Sequence, residues 1–173
     1  MIKNVSLTGL SGAGKTTTAI ELGKLLTEFA VLDTDELIIR ETNISIPEIF
    51  EKFGEQYFRQ KETEIIRTVF KLENQIIALG GGAFENGENQ KIIKENSVII
   101  YLKTSPAVVF DRLRNTSDRP LLANNFSVAN IEKMLLKRES NYKKSDIIIE
   151  TDNKTPNEVA QEILRALKNE FNR

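Results

Sequence analysis

Residues 9–16 form the pattern G-x-x-x-x-G-K-T, in which each residue type serves the binding of a phosphate chain. Its glycines let a loop fold so that successive backbone N–H groups, and the helix N-terminus behind them, point at phosphate oxygens. Lys15 can reach the β- and γ-phosphates, and Thr16 can offer its hydroxyl to Mg²⁺. The octapeptide therefore predicts a nucleotide site, and a glycine turn without a ligand is the less favoured alternative.

A second candidate site is the acidic pair Asp33 and Asp35, which follows the apolar residues 29–32. Ligands of a parallel α/β sheet collect at the carboxyl ends of its strands, so both side chains would face the phosphate loop. We predict Asp33 as the metal-side carboxylate, because the apolar run near 75–79 is followed by glycines rather than by an acidic residue. The spacing either places both side chains on one side of an extended segment or lets one face the metal and the other the acceptor, and capping of a helix that begins at Glu36 is the alternative for Asp35.

Two further features suit an anionic ligand. The three glycines Gly80 to Gly82 leave the backbone bare at a strand end, so a ligand can meet N–H donors directly, with a ligand-free tight turn as the alternative. Arg59 and Glu62 are i, i+3 neighbours on a predicted helix. Such a pair is ordinarily an exposed ion pair, and it gains a function if Glu62 holds the guanidinium in place for an anionic substrate.

The elements that must position these residues follow from the hydrophobic pattern. Apolar runs alternate with helical periodicity, and we detect no internal repeat. A run that is apolar on both faces, as at 97–103, is typical of a buried parallel strand, so the pattern predicts one α/β domain with helices on both faces of the sheet. Capping boxes at 45–48 and 155–158 predict two helix starts. Strands are expected near residues 3–8, 29–33, 75–79, 97–103 and 146–150.

The interval from Asn115 to Phe126 has no helix or strand assignment. It is polar, contains Arg119 followed by Pro120, and is too long for an ordinary connection. We interpret it as a lid that closes over the site, and a plain surface loop is the equal alternative.

Composition excludes several kinds of chemistry. The 173 residues include no cysteine and no histidine, so thiolate catalysis, disulfides and the commonest general base are ruled out. A net charge of −1 provides no general attraction to nucleic acid or to anionic membranes. No apolar run approaches the ~20 residues that span a bilayer, and no signal peptide precedes the first strand. We therefore expect a cytoplasmic protein whose partners are small molecules.

In order and spacing, the motifs resemble those of the shikimate kinase family over nearly the whole chain. The matching segments are Gly9 to Thr16, Asp33 to Glu36, Phe58-Arg59 with Glu62, Gly80 to Gly82, Arg119 to Leu122, and Arg138 with Tyr142. The resemblance implies an α/β P-loop kinase of the nucleoside monophosphate kinase type, with a five-stranded parallel sheet of order 2-3-1-4-5 flanked by helices. It also implies one kinase domain over residues 1–173, with a substrate-binding segment at about 34–60 and a lid at about 113–126.

The implied activity is transfer of the ATP γ-phosphoryl group to the 3-hydroxyl of shikimate, a step of aromatic amino acid biosynthesis through chorismate. On the substrate side, Asp35 would hydrogen-bond the acceptor hydroxyl as the candidate base. Arg59 and Arg138 would grip the substrate carboxylate, because planar guanidinium forks suit it, and Gly81 would contribute a backbone contact.

On the nucleotide side, the resemblance implies that Lys15 and the amides of residues 12–17 hold the ATP phosphates. Thr16, helped through water by Asp33, would hold Mg²⁺, and Arg119 would swing in with the lid to neutralise charge on the transferring group. Family members flank adenine with an arginine before the lid and a proline near the last helix. The nucleotide-binding residues implied are Gly12, Ala13, Gly14, Lys15, Thr16, Thr17, Arg112, Arg119, Lys154 and Pro156.

The sequence departs from the family pattern at a few positions. Ala19 and Asn43 stand where the family often has glycine, and the stretch between Arg112 and Arg119 lacks one. Arg112 also suits a solvated helix face, and Pro156 a helix start. A related kinase for another polyol acid such as gluconate, and a nucleotide-binding module without turnover, are the alternative functions. We expect a monomer that binds ATP and shikimate and neither nucleic acid nor membrane.

Overall fold

The computed structural model describes residues 3–114 and 126–171, and its centre is a sheet of five parallel strands in the order β2-β3-β1-β4-β5. This is the predicted sheet order, and every strand lies within one residue of its predicted bounds at both ends. The strands are β1 (Asn4–Thr8), β2 (Ala30–Asp33), β3 (Gln75–Ala78), β4 (Val98–Lys103) and β5 (Ile147–Glu150).

Helices follow the strands and cover both faces of the sheet. They are α1 (Lys15–Leu25), α2 (Thr34–Thr42), α3 (Ile46–Val69), α4 (Gly87–Asn96), α5 (Pro106–Leu113), α6 (Val128–Tyr142) and α7 (Pro156–Phe171), with a short 3-10 helix at Ala83–Glu85. Helices α1 and α7 pack against each other on one face. The remaining helices enclose a second core on the other face. Among the described residues, no helix combines the length and the apolar character that crossing a membrane needs.

Strand β4 shows why the sheet is buried on both sides. Side chains alternate between the faces of a strand, so Ile99 and Tyr101 contribute to one core while Ile100 and Leu102 contribute to the other. All four are at most 1% exposed. The uninterrupted apolar run in the sequence is therefore the consequence of two hydrophobic layers, as predicted for a parallel strand.

The two predicted capping boxes form as expected. Ser45 starts α3 by accepting from the N–H of Glu48, whose carboxylate accepts the Ser45 N–H at 2.9 Å. The same reciprocal bonds join Thr155 and Glu158 at the start of α7. Each box satisfies helix N–H groups that would otherwise lack partners, so both helices begin where the sequence indicates.

Helix α3 is broken at Gly54, where φ is 80° and ψ is 171°. This backbone region is essentially restricted to glycine, so the residue separates a short first helix from the longer second one. The second part carries Arg59 and Glu62 along the carboxyl ends of the strands. The break thus sets the direction in which the candidate substrate-binding side chains enter the site.

Candidate active site

The phosphate loop connects β1 to α1 and is held open by its glycines. Gly12 and Gly14 have φ of 83° and 89°, the left-handed region that glycine enters without strain. Lys15 begins α1 and is almost buried, and its Nζ donates to the carbonyls of Gly9 and Leu10 at 2.9 and 2.8 Å. The N-cap residue Gly14 supplies no side-chain cap, so the first N–H groups of α1 stay directed at the loop interior, where an anion is stabilised.

Thr16 and Asp33 meet at the base of this loop. The Thr16 hydroxyl donates to Asp33 Oδ2 at 2.5 Å, which places two oxygen ligands side by side. Asp33 Oδ1 accepts the N–H groups of Asp35 and Glu36, so Asp33 is the N-cap of α2. The alternative in which Asp35 caps this helix is therefore wrong. Asp35 instead lies in the first turn of α2, behind the cap.

The donor set suits Mg²⁺ better than a metal that needs a protein cage. No group of three or more acidic, histidine or cysteine side chains able to hold a metal occurs among the described residues. Thr16 and Asp33 provide two hard oxygen atoms beside the phosphate loop. Mg²⁺ typically takes one or two protein oxygens and completes its shell with water and substrate phosphates.

A cavity of about 320 Å³ opens above the loop, and it gathers residues from distant parts of the chain. Arg112, Lys154 and Pro156 line it together with Asp33 and Asp35. Arg112 donates to the carbonyl of Gly12 at 3.2 Å, and Lys154 pairs with Glu162 at 2.6 Å. The three residues predicted near adenine are thus brought together on the nucleotide side. Arg119 and most of the predicted lid at 113–126 lie outside the described residues.

Each glycine of the Gly80–Gly82 turn is needed because another functional group passes close to it. A Cβ on Gly80 would lie 2.5 Å from Asp35 Oδ1 and 3.0 Å from Glu62 Oε1. One on Gly82 would lie 2.6 Å from Arg59 Nη1, and one on Gly81 2.9 Å from the hydroxyl of Ser11 in the phosphate loop. The turn is therefore the surface on which the acidic, basic and phosphate-binding groups converge.

Hydrogen bonds fix the orientation of this turn. The Gly80 N–H donates to the hydroxyl of buried Thr34 at 2.8 Å. The Gly81 carbonyl accepts from Arg138 Nη1 at 3.1 Å and from the Tyr142 hydroxyl at 2.6 Å. Thr34 and Tyr142 lie within segments that match the family, but the sequence analysis assigns neither residue a role. Their hydrogen bonds to Gly80 and Gly81 supply one.

Arg59 and Glu62 form a largely buried pair rather than an exposed one. Arg59 Nη1 donates to both carboxylate oxygens of Glu62 at 3.1 and 3.0 Å, and the two side chains are 24% and 1% exposed. Burial raises the pKa of Glu62 to about 7 against the lowering effect of Arg59, while Asp35 raises this pKa and Arg138 lowers it. Glu62 therefore interacts with every charged group predicted to contact the substrate.

A phosphate-binding loop, an acidic group beside it and two guanidinium groups lie at one edge of the sheet. The fold and the site together define a P-loop kinase of the nucleoside monophosphate kinase type. A family model described as shikimate kinase matches residues 11–168. The chain belongs to the shikimate kinase family.

The sequences of individual relatives match this chain over almost its full length. The shikimate kinases of Caldanaerobacter subterraneus subsp. tengcongensis and Caldicellulosiruptor bescii are 41% and 42% identical to this chain. The first match covers 95% of this chain and 96% of the relative, and the second covers 94% of both. The solved structure of shikimate kinase from Acinetobacter baumannii in complex with shikimate is 32% identical, with a TM-score of 0.96 over all of this chain and 97% of the other.

We predict that Gly82→Ala weakens substrate binding through Arg59. The backbone of Gly82, with φ −109° and ψ −2°, is accessible to alanine, so the effect comes from the new methyl group against the guanidinium. Because Glu62 holds that guanidinium, it cannot move aside without losing its partner. The KM for the anionic substrate should rise about 10-fold or more, with the KM for ATP within two-fold of wild type in steady-state assays.

Gly87→Ala is the matched control, because a Cβ there meets nothing within 4 Å. It lies in the first turn of α4 and should leave both KM values unchanged while stabilising the fold by up to about 1 kcal/mol. Equal KM values for Gly82→Ala and wild type would contradict the contact with Arg59.

Proposed function

We propose that this chain phosphorylates the 3-hydroxyl of shikimate with the γ-phosphoryl group of ATP, yielding shikimate 3-phosphate and ADP. The observation that carries the proposal is the convergence of Asp35, Arg59 and Arg138 on the Gly80–Gly82 turn, directly beside the phosphate loop. An acceptor bound there has its carboxylate against the arginines and a hydroxyl near Asp35. The family to which the chain belongs supports the same substrate.

On the nucleotide side, the backbone amides of residues 12–17 and Lys15 hold the phosphate chain. Thr16 and Asp33 would hold Mg²⁺, which supplies charge neutralisation on the β- and γ-phosphates when bound. The adenine lies between Arg112 and Pro156, with Lys154 at the edge of the same cavity. The position of these residues around one cavity supports this assignment.

On the substrate side, Arg59 and Arg138 bind the carboxylate through charge-assisted hydrogen bonds, and the backbone at Gly81 contacts the ring hydroxyls. Asp35 accepts a hydrogen bond from the 3-hydroxyl and orients its oxygen toward the γ-phosphorus. Phosphoryl-transfer transition states are loose, so the proton need not leave the hydroxyl early. Orientation by Asp35 then contributes more than its basicity.

Arg119, within the lid at 113–126, neutralises charge on the transferring group once the lid covers the nucleotide. The chain forms one kinase domain over residues 1–173, with its substrate-binding segment at 34–60. It acts as a monomer in the cytoplasm.

The decisive experiment measures ADP release in a coupled assay with ATP and Mg²⁺ and a panel of shikimate, gluconate and nucleoside monophosphates. We expect turnover with shikimate at least about 10³-fold above the other acceptors, because only a carboxylate placed between both arginines aligns the hydroxyl. EDTA should abolish turnover, and excess Mg²⁺ should restore it. Preference for gluconate would establish the related kinase, and nucleotide binding without turnover would establish the non-catalytic module.

A further inference from the structure

The Gly81 carbonyl is shared by two donors of helix α6. Arg138 and Tyr142 are four residues apart, so they lie on the same face of the helix, and both reach this one oxygen. A carbonyl oxygen has two acceptor sites, and these two bonds occupy them. The orientation of the Gly81–Gly82 peptide is thus set jointly by a candidate substrate-binding arginine and by a tyrosine.

Tyr142 is suited to hold a fixed position. Its side chain is fully buried, and its ring stacks on Tyr101 with centroids 5.0 Å apart and an interplanar angle of 29°. Burial raises the pKa of Tyr142, so the hydroxyl stays protonated and remains a donor throughout the neutral pH range. The bond to Gly81, at 2.6 Å, is shorter than the 3.1 Å bond from Arg138.

The geometry of the Gly81–Gly82 peptide connects the hydrogen bond between Tyr142 and Gly81 to both arginines. Because the peptide is planar and trans, fixing the Gly81 carbonyl toward α6 directs the Gly82 N–H to the opposite side. Arg59 lies against Gly82, and Arg138 donates one N–H to Gly81, while its guanidinium carries further N–H groups that can bind a ligand. A rotation of this one peptide would therefore shift the guanidinium groups relative to each other.

We propose that Tyr142 is a positioning residue for substrate binding, whose hydroxyl holds the Gly81 carbonyl and thereby sets the orientation of the Arg138 guanidinium. The inference rests on the proposed function, because it concerns the binding of the same carboxylate. Without the hydroxyl, Arg138 becomes the principal partner of Gly81, and the guanidinium is drawn toward the protein carbonyl and away from the substrate.

The test is Tyr142→Phe, which removes the hydroxyl and keeps the ring. We expect kcat/KM for shikimate to fall about three- to ten-fold through KM, with kcat and the KM for ATP within two-fold of wild type. The unfolding temperature should change little, because the Gly81 carbonyl keeps Arg138 as a donor. An unchanged KM for shikimate, or a protein that no longer folds, would overturn the assignment.

Tyr101→Phe is the matched control. The Tyr101 hydroxyl is buried with no hydrogen-bond partner in the part of the chain that the structure describes, and its ring forms the other half of the stack. This variant also removes one buried hydroxyl from the stacked pair. If the loss of any buried hydroxyl there changed the kinetics, Tyr101→Phe would show the same change as Tyr142→Phe. We expect wild-type kinetics and an unfolding temperature equal to that of wild type or higher.

A double-mutant cycle separates positioning from a purely structural role. In an Arg138→Ala background, Tyr142→Phe should reduce kcat/KM for shikimate by clearly less than in the wild-type background, because the guanidinium that Tyr142 orients is gone and only the effect through Gly82 and Arg59 remains. The same three- to ten-fold loss in both backgrounds would overturn the inference. If the wild-type protein releases no ADP with shikimate, the proposed function is refuted. If the wild-type protein is active and Tyr142→Phe has the wild-type KM for shikimate, only the role of Tyr142 is refuted.

Discussion

Replacement of Lys15 by methionine is expected to lower kcat by about 10³-fold or more, because a positive charge next to the transferring group is lost. Methionine keeps the apolar stem and its approximate length, so the almost buried position at the start of α1 stays filled. The left-handed backbone at Gly12 and Gly14 is not altered, whereas the two hydrogen bonds from Lys15 Nζ to the carbonyls of Gly9 and Leu10 are lost. Steady-state assays at saturating shikimate measure the effect.

Lys24→Met provides the comparison on the same helix. Lys24 lies in the last turn of α1, its side chain is 64% exposed, and it pairs with Glu21. Exposed pairs of this kind contribute little to stability, so this variant should keep wild-type kinetics and a wild-type unfolding temperature. Turnover by Lys15→Met within ten-fold of wild type would contradict the assignment of the phosphate loop.

The second large effect is expected for Arg59→Ala. Loss of a charge-assisted, fork-shaped contact with the substrate carboxylate should raise the KM for shikimate about 100-fold, with the KM for ATP nearly unchanged. The same change leaves Glu62 buried without its partner, which should lower the free energy of unfolding by up to about 3 kcal/mol at pH values above neutral, where the carboxylate is charged. Steady-state kinetics test the rise in the KM for shikimate, and thermal unfolding tests the loss of stability.

The loss of stability in Arg59→Ala should depend on pH in a defined direction. Arg59 lowers the pKa of Glu62, so its removal raises this pKa further above about 7. A carboxyl whose folded pKa lies above its unfolded value of about 4.3 favours the fold when protonated, and this contribution is lost as pH rises through the folded pKa. Arg59→Ala should therefore be less destabilised at pH 6 than at pH 8.

Two further variants separate binding from stability. Arg59→Ala combined with Glu62→Gln should recover most of the lost stability, because no unpaired charge remains buried, while the KM for shikimate stays high. Arg67→Ala removes another arginine of α3, one whose ion pair with Glu88 is about half exposed on both sides, and should leave both properties unchanged. An equal loss of ATP and shikimate affinity in Arg59→Ala would show that Arg59 does not bind the acceptor.

Local sequence patterns were sufficient to predict a structural element wherever the physical cause of that element lies within a few neighbouring residues. The phosphate loop, the two capping boxes and all five strands are where the sequence indicates, because loop torsions, helix caps and the apolar faces of a strand are decided within a few residues. The Arg59–Glu62 pair shows where prediction from local patterns fails. Spacing alone favours an exposed ion pair, whereas in the fold the carboxylate is 1% exposed, lies close to Gly80 and interacts electrostatically with Asp35 and Arg138.

From residue types and their order alone, one can infer a phosphate-binding loop, a parallel α/β sheet and the family to which the chain belongs. Which side chains meet at the Gly80–Gly82 turn depends on strands and helices that are far apart in the chain and adjacent in space. Thr34 and Tyr142 acquire their contacts there because the carboxyl end of β3 lies against the starts of α1 and α2 and the end of α6. Packing of two cores around one sheet brings these ends together, and no local pattern contains that information.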